Sequence, residues 1–229
     1  MLGRCPPEAL EANLGARLLA LGKPTGGVRP VAMGSVVRRL AARAACAFVK
    51  DQVAEAVGPW QYGVGRAAGC ELVHKALTAL VDEDSSRVVL AFDARNAFGS
   101  LPRQRVWDGV QTRMPILTCV ARAWLSKPTT HVFWDAGGVA HPLPASAGVD
   151  QGCPLSPLFF SLGLADAFSL IETQLLALDS QAPVFAYLDD LIVVVDPSKA
   201  EQARKVVENT LAAHGLQLNV GKTCAWTAP

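Results

Sequence analysis

Two adjacent acids, Asp189 and Asp190, stand at the centre of an otherwise apolar run, Val184-Phe185-Ala186-Tyr187-Leu188-Asp189-Asp190-Leu191-Ile192-Val193-Val194-Val195. Aromatic and β-branched residues at this density favour strand. The run is therefore expected to fold as a hairpin over 183–195 with the acids interrupting it. Asp-Asp is a poorer tight turn than Asn-Gly or Asp-Gly. Neighbouring carboxylates in apolar surroundings repel each other and lose hydration, which favours uptake of a proton. A divalent cation removes both penalties. The residues alone leave two readings open, an ion site or a solvated turn. A third acid, Asp93, ends the short apolar strand expected at 87–92. If that strand lies beside the hairpin, three carboxylates converge at one sheet edge and suit Mg²⁺ ions that share their shell with phosphate. The alternative for Asp93 is a helix N-cap.

The rest of the chain alternates between helix and strand signals. Helices are expected at 7–20, from Ser35 to about Val57 with Gly58-Pro59 as the stop, at 70–81, 103–112, 116–126, 156–178 and 198–213. Gly26-Gly27 marks a hairpin within Lys23–Met33, Gly137-Gly138 joins strands at 129–134 and 139–145, and Gly215 is expected to start a short strand. Without strict βαβ alternation this pattern predicts an α+β fold, with helices packed on a mainly antiparallel sheet.

Composition narrows the class. With 51% apolar and 18% charged residues the chain is neither disordered nor low-complexity. Six cysteines at 5, 46, 70, 119, 153 and 224 form no close pair, so reduced and mostly buried thiols are expected. Neither a signal peptide nor a membrane span is expected: Arg4 is followed by Pro6, Pro7 and Glu8, and the apolar run at 184–195 is broken by its acids. Net charge is only +1, but its distribution is uneven. Residues 1–80 carry ten Lys/Arg against five Asp/Glu, and residues 81–229 carry eleven against fifteen. Seven basic residues and no acid lie between Glu11 and Asp51. A basic front and an acidic back suit a protein that grips a polyanion with one part and holds cations with the other; uneven surface charge is the alternative.

Six blocks in order give the chain a resemblance to the reverse transcriptases of retroelements. They are Lys23-Pro24-Thr25-Gly26-Gly27-Val28-Arg29-Pro30, Gln61-Tyr62-Gly63-Val64-Gly65-Arg66, Phe92-Asp93-Ala94-Arg95-Asn96-Ala97-Phe98, Gly148 to Pro157 around Gln151-Gly152, Tyr187-Leu188-Asp189-Asp190, and Gly215 to Thr223. The first and fourth look most like the non-LTR retrotransposon and group II intron branch. Asp150 departs from the pattern, because an acid beside a polyanion is unexpected.

The resemblance implies a palm with packed helices, plus fingers, and no thumb in this chain. Its divisions would be 1–86 (fingers), 87–101 (palm, with Asp93), 102–148 (a connecting region) and 149–229 (palm). It implies RNA-directed DNA polymerisation on an RNA template and DNA primer from deoxynucleoside triphosphates, with two Mg²⁺ ions or Mn²⁺ in their place. Asp93, Asp189 and Asp190 would be metal ligands and catalytic, with Lys222 beside the leaving pyrophosphate. Lys23, Arg29, Phe98, Gln151 and Gly152 would bind the nucleotide, Phe98 by excluding a 2′-hydroxyl. Arg38, Arg39, Arg43 and Tyr187 would face template and primer. Tyr62, His74 and His131 receive no role, and the tryptophans are read as core or as contacts to further domains of a longer polyprotein. Such a piece alone would be a weak, distributive polymerase or an inactive one. The alternatives are an inactive nucleic-acid or protein interaction module and an RNA-templated RNA polymerase.

Overall fold

Residues 6–24 and 26–228 are described in a computed structural model. The chain runs α1 (Pro7–Leu14), β1 (Ala16–Gly22), β2 (Val28–Gly34), α2 (Val36–Val49), α3 (Val53–Ala56), α4 (Gly69–Glu83), β3 (Val88–Phe92), α5 (Ala97–Ser100), α6 (Arg103–Arg113), α7 (Thr118–Leu125), β4 (Thr129–Trp134), β5 (Ala140–Ala145), α8 (Ser156–Leu178), β6 (Val184–Tyr187), β7 (Asp190–Val195), α9 (Ala200–Ala213) and β8 (Cys224–Thr227). The strands form two four-stranded sheets, ordered β2-β1-β4-β5 and β6-β7-β3-β8. The second carries the acids. The expected α+β fold with helices on a mainly antiparallel sheet holds: the second sheet is antiparallel throughout, and the first contains a parallel pairing of β1 with β4.

Strand β3 lies inside the acid-bearing sheet, antiparallel to β7 from Val88↔Val195 to Phe92↔Leu191 and to β8 from Val88↔Thr227 to Ala91↔Cys224. Its apolar run needs no polar face, because the sheet is backed by α8 and α9. Helix α8 is 23 residues long and buries Phe159, Phe160, Phe168, Leu162 and Ile171. By length and composition it could cross a membrane, but it is mostly buried among α6, α9 and β6 and serves as the core helix.

Three local expectations are corrected. The leucine spacing over 7–20 suggested one helix, but the helix ends at Leu14, and Ala16–Gly22 is a strand held on both edges, by β2 and by β4. Tertiary pairing overrides local propensity there. Gly215 is a turn residue at φ +87°, and 216–219 makes only the bridge Ala94↔Leu218; the strand lies later, at Cys224–Thr227. The thiols are not mostly buried: Cys153 is buried and Cys46 partly so, whereas Cys70, Cys119 and Cys224 are exposed. These five are free, and Cys5 lies outside the described residues. By contrast Ser35 caps α2 as expected, its hydroxyl accepting from the Arg38 amide at 3.1 Å.

Asp150, in the loop before α8, ties the first sheet to α2. Its carboxylate takes Arg38 at 2.8 Å and His131 at 2.8 Å, and Arg38 also donates to the Leu14 carbonyl at 2.8 Å and lies over the Trp124 ring. His131 Nδ1 accepts from the Ala16 amide at 3.1 Å, so the ring ties β1 to the loop before α8. Arg38 is therefore not a template contact, as the sequence suggested: only 8% exposed, it is consumed by the partner that Asp150 supplies. Asp150 is equally accounted for, an internal counter-ion and not a charge facing a polyanion. Its pKa is held below the ordinary carboxylate value, because the His131 and Arg38 contacts outweigh burial. Replacing Arg38 by Ala removes one of the two partners of this buried acid and leaves only His131, so Arg38→Ala is expected to lose about 3 kcal/mol of unfolding free energy. Urea melts check this; a loss near the ~0.5 kcal/mol of a surface substitution would contradict the buried pair.

Candidate active site

Hairpin β6–β7 closes on the pair Tyr187↔Asp190, leaving Leu188 and Asp189 as a two-residue turn. Leu188 has φ +58°, the sign a type II′ turn requires at its first central residue, where glycine is the usual occupant. The turn presents Asp189 half-buried and Asp190 more exposed. Register brings the third acid in. The antiparallel pairing of β3 and β7 ends at Phe92↔Leu191, so one step further sets Asp93 against Asp190. The helix-cap alternative fails, since α5 begins only after Asn96.

Asp93 is held from the segment before β8. Asn219 Nδ2 donates to its Oδ2 at 3.0 Å, Lys222 Nζ stands 3.1 Å from its Oδ1, and its own carbonyl accepts from the Asn219 amide at 2.7 Å. Lys222 is thus at the acid cluster, in an ion pair with Asp93. Asp189 and Asp190 have no such partner within ion-pair distance among the described residues. Both pKa values are pushed up: Asp189 by burial and then by Asp93, Asp190 by burial and then by Asp189 and Asp93. Arg29 and Lys222 oppose the shift at Asp189 from a longer range. Among the described residues no three His, Cys, Asp or Glu side chains form a ready-made cage. Two unpartnered hard-oxygen donors beside a third nevertheless fit Mg²⁺, which takes one or two carboxylates and completes its shell with water and phosphate.

An open pocket of about 300 Å³ is lined by Pro30 and Ala32 of β2, Asn96, Ala145 to Ala147, and Asp150 and Gln151, without touching Asp93, Asp189 or Asp190. Gln151 is anchored through its carbonyl, which accepts from the Ala32 amide at 2.7 Å. Gly152 has φ +116°, and a Cβ there would come 2.8 Å from the Ala32 carbonyl oxygen, so glycine is required for the approach of this loop to β2. Arg29 is exposed on β2 and within electrostatic reach of Asp189; Lys23 is exposed at the β1–β2 turn, and Thr25 of the same block lies outside the described residues. Phe98 is 9% exposed and stacks on Phe160, ring centroids 4.3 Å apart. Of the residues expected to face nucleic acid, Arg43 and Tyr187 are exposed and Arg39 is half-buried.

Sequence reasoning missed two functional contacts. Asn219 lay inside a quoted block with no role, and its amide fixes Asp93. Gln61, also quoted without a role, is fully buried and hydrogen-bonds both main-chain groups of Leu188. An invariant amide in a block would have been the only signal, and one sequence cannot show invariance.

A sheet that gathers one acid at the end of an inner strand and two in the next hairpin, with a second, basic-edged sheet beside it, defines a polymerase palm with fingers. Over residues 21–229 the chain matches the family described as "Reverse transcriptase (RNA-dependent DNA polymerase)", and it belongs to that family. It is 28% identical over 211 residues to the retrotransposable element SLACS 132 kDa protein of Trypanosoma brucei gambiense, covering 90% of this chain but 17% of that protein. Its fold resembles apo telomerase from Candida tropicalis truncated from the C-terminal domain (TM-score 0.67, 14% identity, 94% of this chain and 50% of that one). Telomerase from Candida albicans in complex with a TWJ fragment of telomeric RNA is similar too (TM-score 0.66, 13% identity, 97% and 43%).

The raised carboxylate pKa values fix a sign for stability. A folded pKa above the unfolded one contributes stability that is present below the unfolded carboxylate value, about 4, and lost as pH rises through the folded value. In chelator at pH 8, Asp189→Asn is therefore expected to melt at a higher temperature than wild type, with the gap closing toward pH 4. A wild type as stable as the variant at pH 8 would contradict an uncompensated Asp189.

Proposed function

We propose that this chain carries out template-directed nucleotidyl transfer, adding deoxynucleotides to a DNA primer on an RNA template. The observation that carries this reading is the convergence of Asp93, Asp189 and Asp190, the last two without a counter-ion in salt-bridge contact among the described residues. Family membership supports it. Bound there, two Mg²⁺ ions, or Mn²⁺ in their place, would activate the attacking hydroxyl and neutralise charge on the leaving group. The primer 3′-oxygen forms a bond to the α-phosphorus, the bond to the β-phosphate bridging oxygen breaks, and pyrophosphate leaves. The hydroxyl proton passes to water, and Lys222, paired with Asp93 at 3.1 Å, would donate one to the leaving pyrophosphate. Arg29, with Lys23 beside the same turn, would hold triphosphate oxygens. Gln151 and Gly152 would lie against the nascent base pair, and Arg39, Arg43 and Tyr187 along template and primer. Phe98, five residues after Asp93 and rigidly stacked on Phe160, would exclude a 2′-hydroxyl. The assignment of 1–86 and 102–148 to fingers and 87–101 and 149–229 to palm belongs to the same reading. So does membership of a longer retroelement protein, supported by the 17% of the relative's length that the chain spans and by the exposed Phe48 and Trp226.

A second reading, an interaction module without polymerase activity, is favoured by one observation: Lys222 already neutralises Asp93. Primer extension on poly(rA)/oligo(dT) with Mg²⁺ or Mn²⁺ separates the two. Asp189→Asn is expected to reduce incorporation about 100-fold or more while remaining folded, the effect of several kcal/mol of lost transition-state stabilisation. A folded variant extending at the wild-type rate would sink the ligand assignment. Phe98→Ala is expected to raise ribonucleotide use relative to deoxyribonucleotide use, read as a ratio of kcat/KM values. An unchanged ratio in an active variant would leave Phe98 a core residue only.

A further inference from the structure

Leu188 has a backbone conformation that a side chain disfavours, at φ +58°, in the turn that carries Asp189. Such a conformation persists only where the surroundings over-determine it. One side chain does so. Gln61 Oε1 accepts from the Leu188 amide at 2.8 Å, and Gln61 Nε2 donates to the Leu188 carbonyl at 3.3 Å. The same Oε1 accepts from the Gly63 amide at 2.8 Å, so the carboxamide is satisfied at both ends within a fully buried position. Its main chain is fixed as firmly. Trp60 to Tyr62 runs parallel along β6: the Ala186 amide donates to the Trp60 carbonyl at 2.8 Å, and the Tyr62 amide donates to the Ala186 carbonyl at 2.7 Å. Arg66 braces the outer side, donating to the Gln61 carbonyl at 3.1 Å and to the Pro59 carbonyl at 3.3 Å. Gly63 completes the fit, since a Cβ there would lie 2.8 Å from both the Leu188 amide nitrogen and its Cγ.

We infer that Gln61 is a positioning residue for the metal-binding turn: by clamping both main-chain groups of Leu188 it sets the direction in which Asp189 presents its carboxylate. The inference rests on the reading of Asp189 as an ion ligand. Gln61 is the side chain suited to the task. A leucine offers neither donor nor acceptor, an asparagine is one methylene short, and a glutamate would add charge beside acids that already lack a partner. Removing the amide leaves both Leu188 groups unpaired, and the turn is free to relax toward conformations that leucine prefers.

The test is Mn²⁺ binding to the full chain, followed by the electron paramagnetic resonance signal of the free ion, so that it does not depend on polymerase activity. Wild type is expected to bind, and Asp189→Asn to abolish the binding. Gln61→Leu is expected to weaken it about tenfold, the lower end of what losing a residue behind a metal ligand does to affinity. Adding Leu188→Gly to Gln61→Leu is expected to recover at least about threefold, because glycine adopts positive φ without strain. A role in fold stability alone would reduce the number of binding sites in proportion to unfolded protein and leave Kd unmoved. If Gln61→Leu does not fold, Gln61→Met, unbranched and close in size, replaces it. A folded Gln61 variant with wild-type Kd overturns the inference and leaves the polymerase reading standing. Absence of Asp189-dependent Mn²⁺ binding in wild type overturns that reading, and this inference with it.

Discussion

The chemistry of this molecule depends on the antiparallel pairing of β3 with β7. Five residue pairs, from Val88↔Val195 to Phe92↔Leu191, bring residues 99 to 107 positions apart into adjacency and deliver Asp93 to the level of Asp190. Both strands are apolar over this stretch and covered by α8 and α9, so a slip of one residue would turn every buried side chain to the opposite face. Packing therefore sets the register, and the register sets the spacing of the acids. The acids themselves contribute nothing favourable to this arrangement without a cation. The apolar interior holds them together against their own repulsion.

Two kinds of acid coexist in the chain, one with counter-charges in contact and one lacking them among the described residues. Asp150 is surrounded by its own counter-charges, Arg38 and His131, and its pKa falls. Asp179 is treated in the same way: Arg87 pairs with it at 2.7 Å, and its pKa falls as well. Asp189 and Asp190 receive no such partner among the described residues, and theirs rise. A protein selected for stability alone would pair or replace them, and their uncompensated charge supports the proposed cation site. The same contrast divides the basic stretch between residues 12 and 50. Arg38 turns inward to satisfy Asp150, whereas Arg17, Lys23, Arg29 and Arg43 remain exposed. Charge counted along the sequence therefore overstates what is available to a polyanion.

Support for the acid-bearing turn comes from far away in the chain. Gln61 reaches Leu188 across 127 residues and Asn219 reaches Asp93 across 126. Neither is charged and neither bears an acid's chemical signature. Each acts by satisfying main-chain or carboxylate hydrogen bonds in places where water is largely excluded, so the geometry of the turn is over-determined and its strained residue is retained.

Local chemistry writes the class of the fold and most element positions into the chain: period, turn residues, a Ser cap, and carboxylates set among apolar neighbours. Ser35 and the acid-bearing hairpin are legible for that reason. Whatever depends on a partner distant in the chain is settled only by folding. Ala16–Gly22 carries a helical leucine spacing but becomes a strand because β2 and β4 offer it hydrogen bonds on both edges. Arg38 reads as a surface cation until Asp150 and Trp124 are found around it. Gln61 reads as an ordinary polar residue until Leu188 is found against it. Pairing and burial are free-energy differences between whole arrangements of the chain, and no window of neighbouring residues contains them.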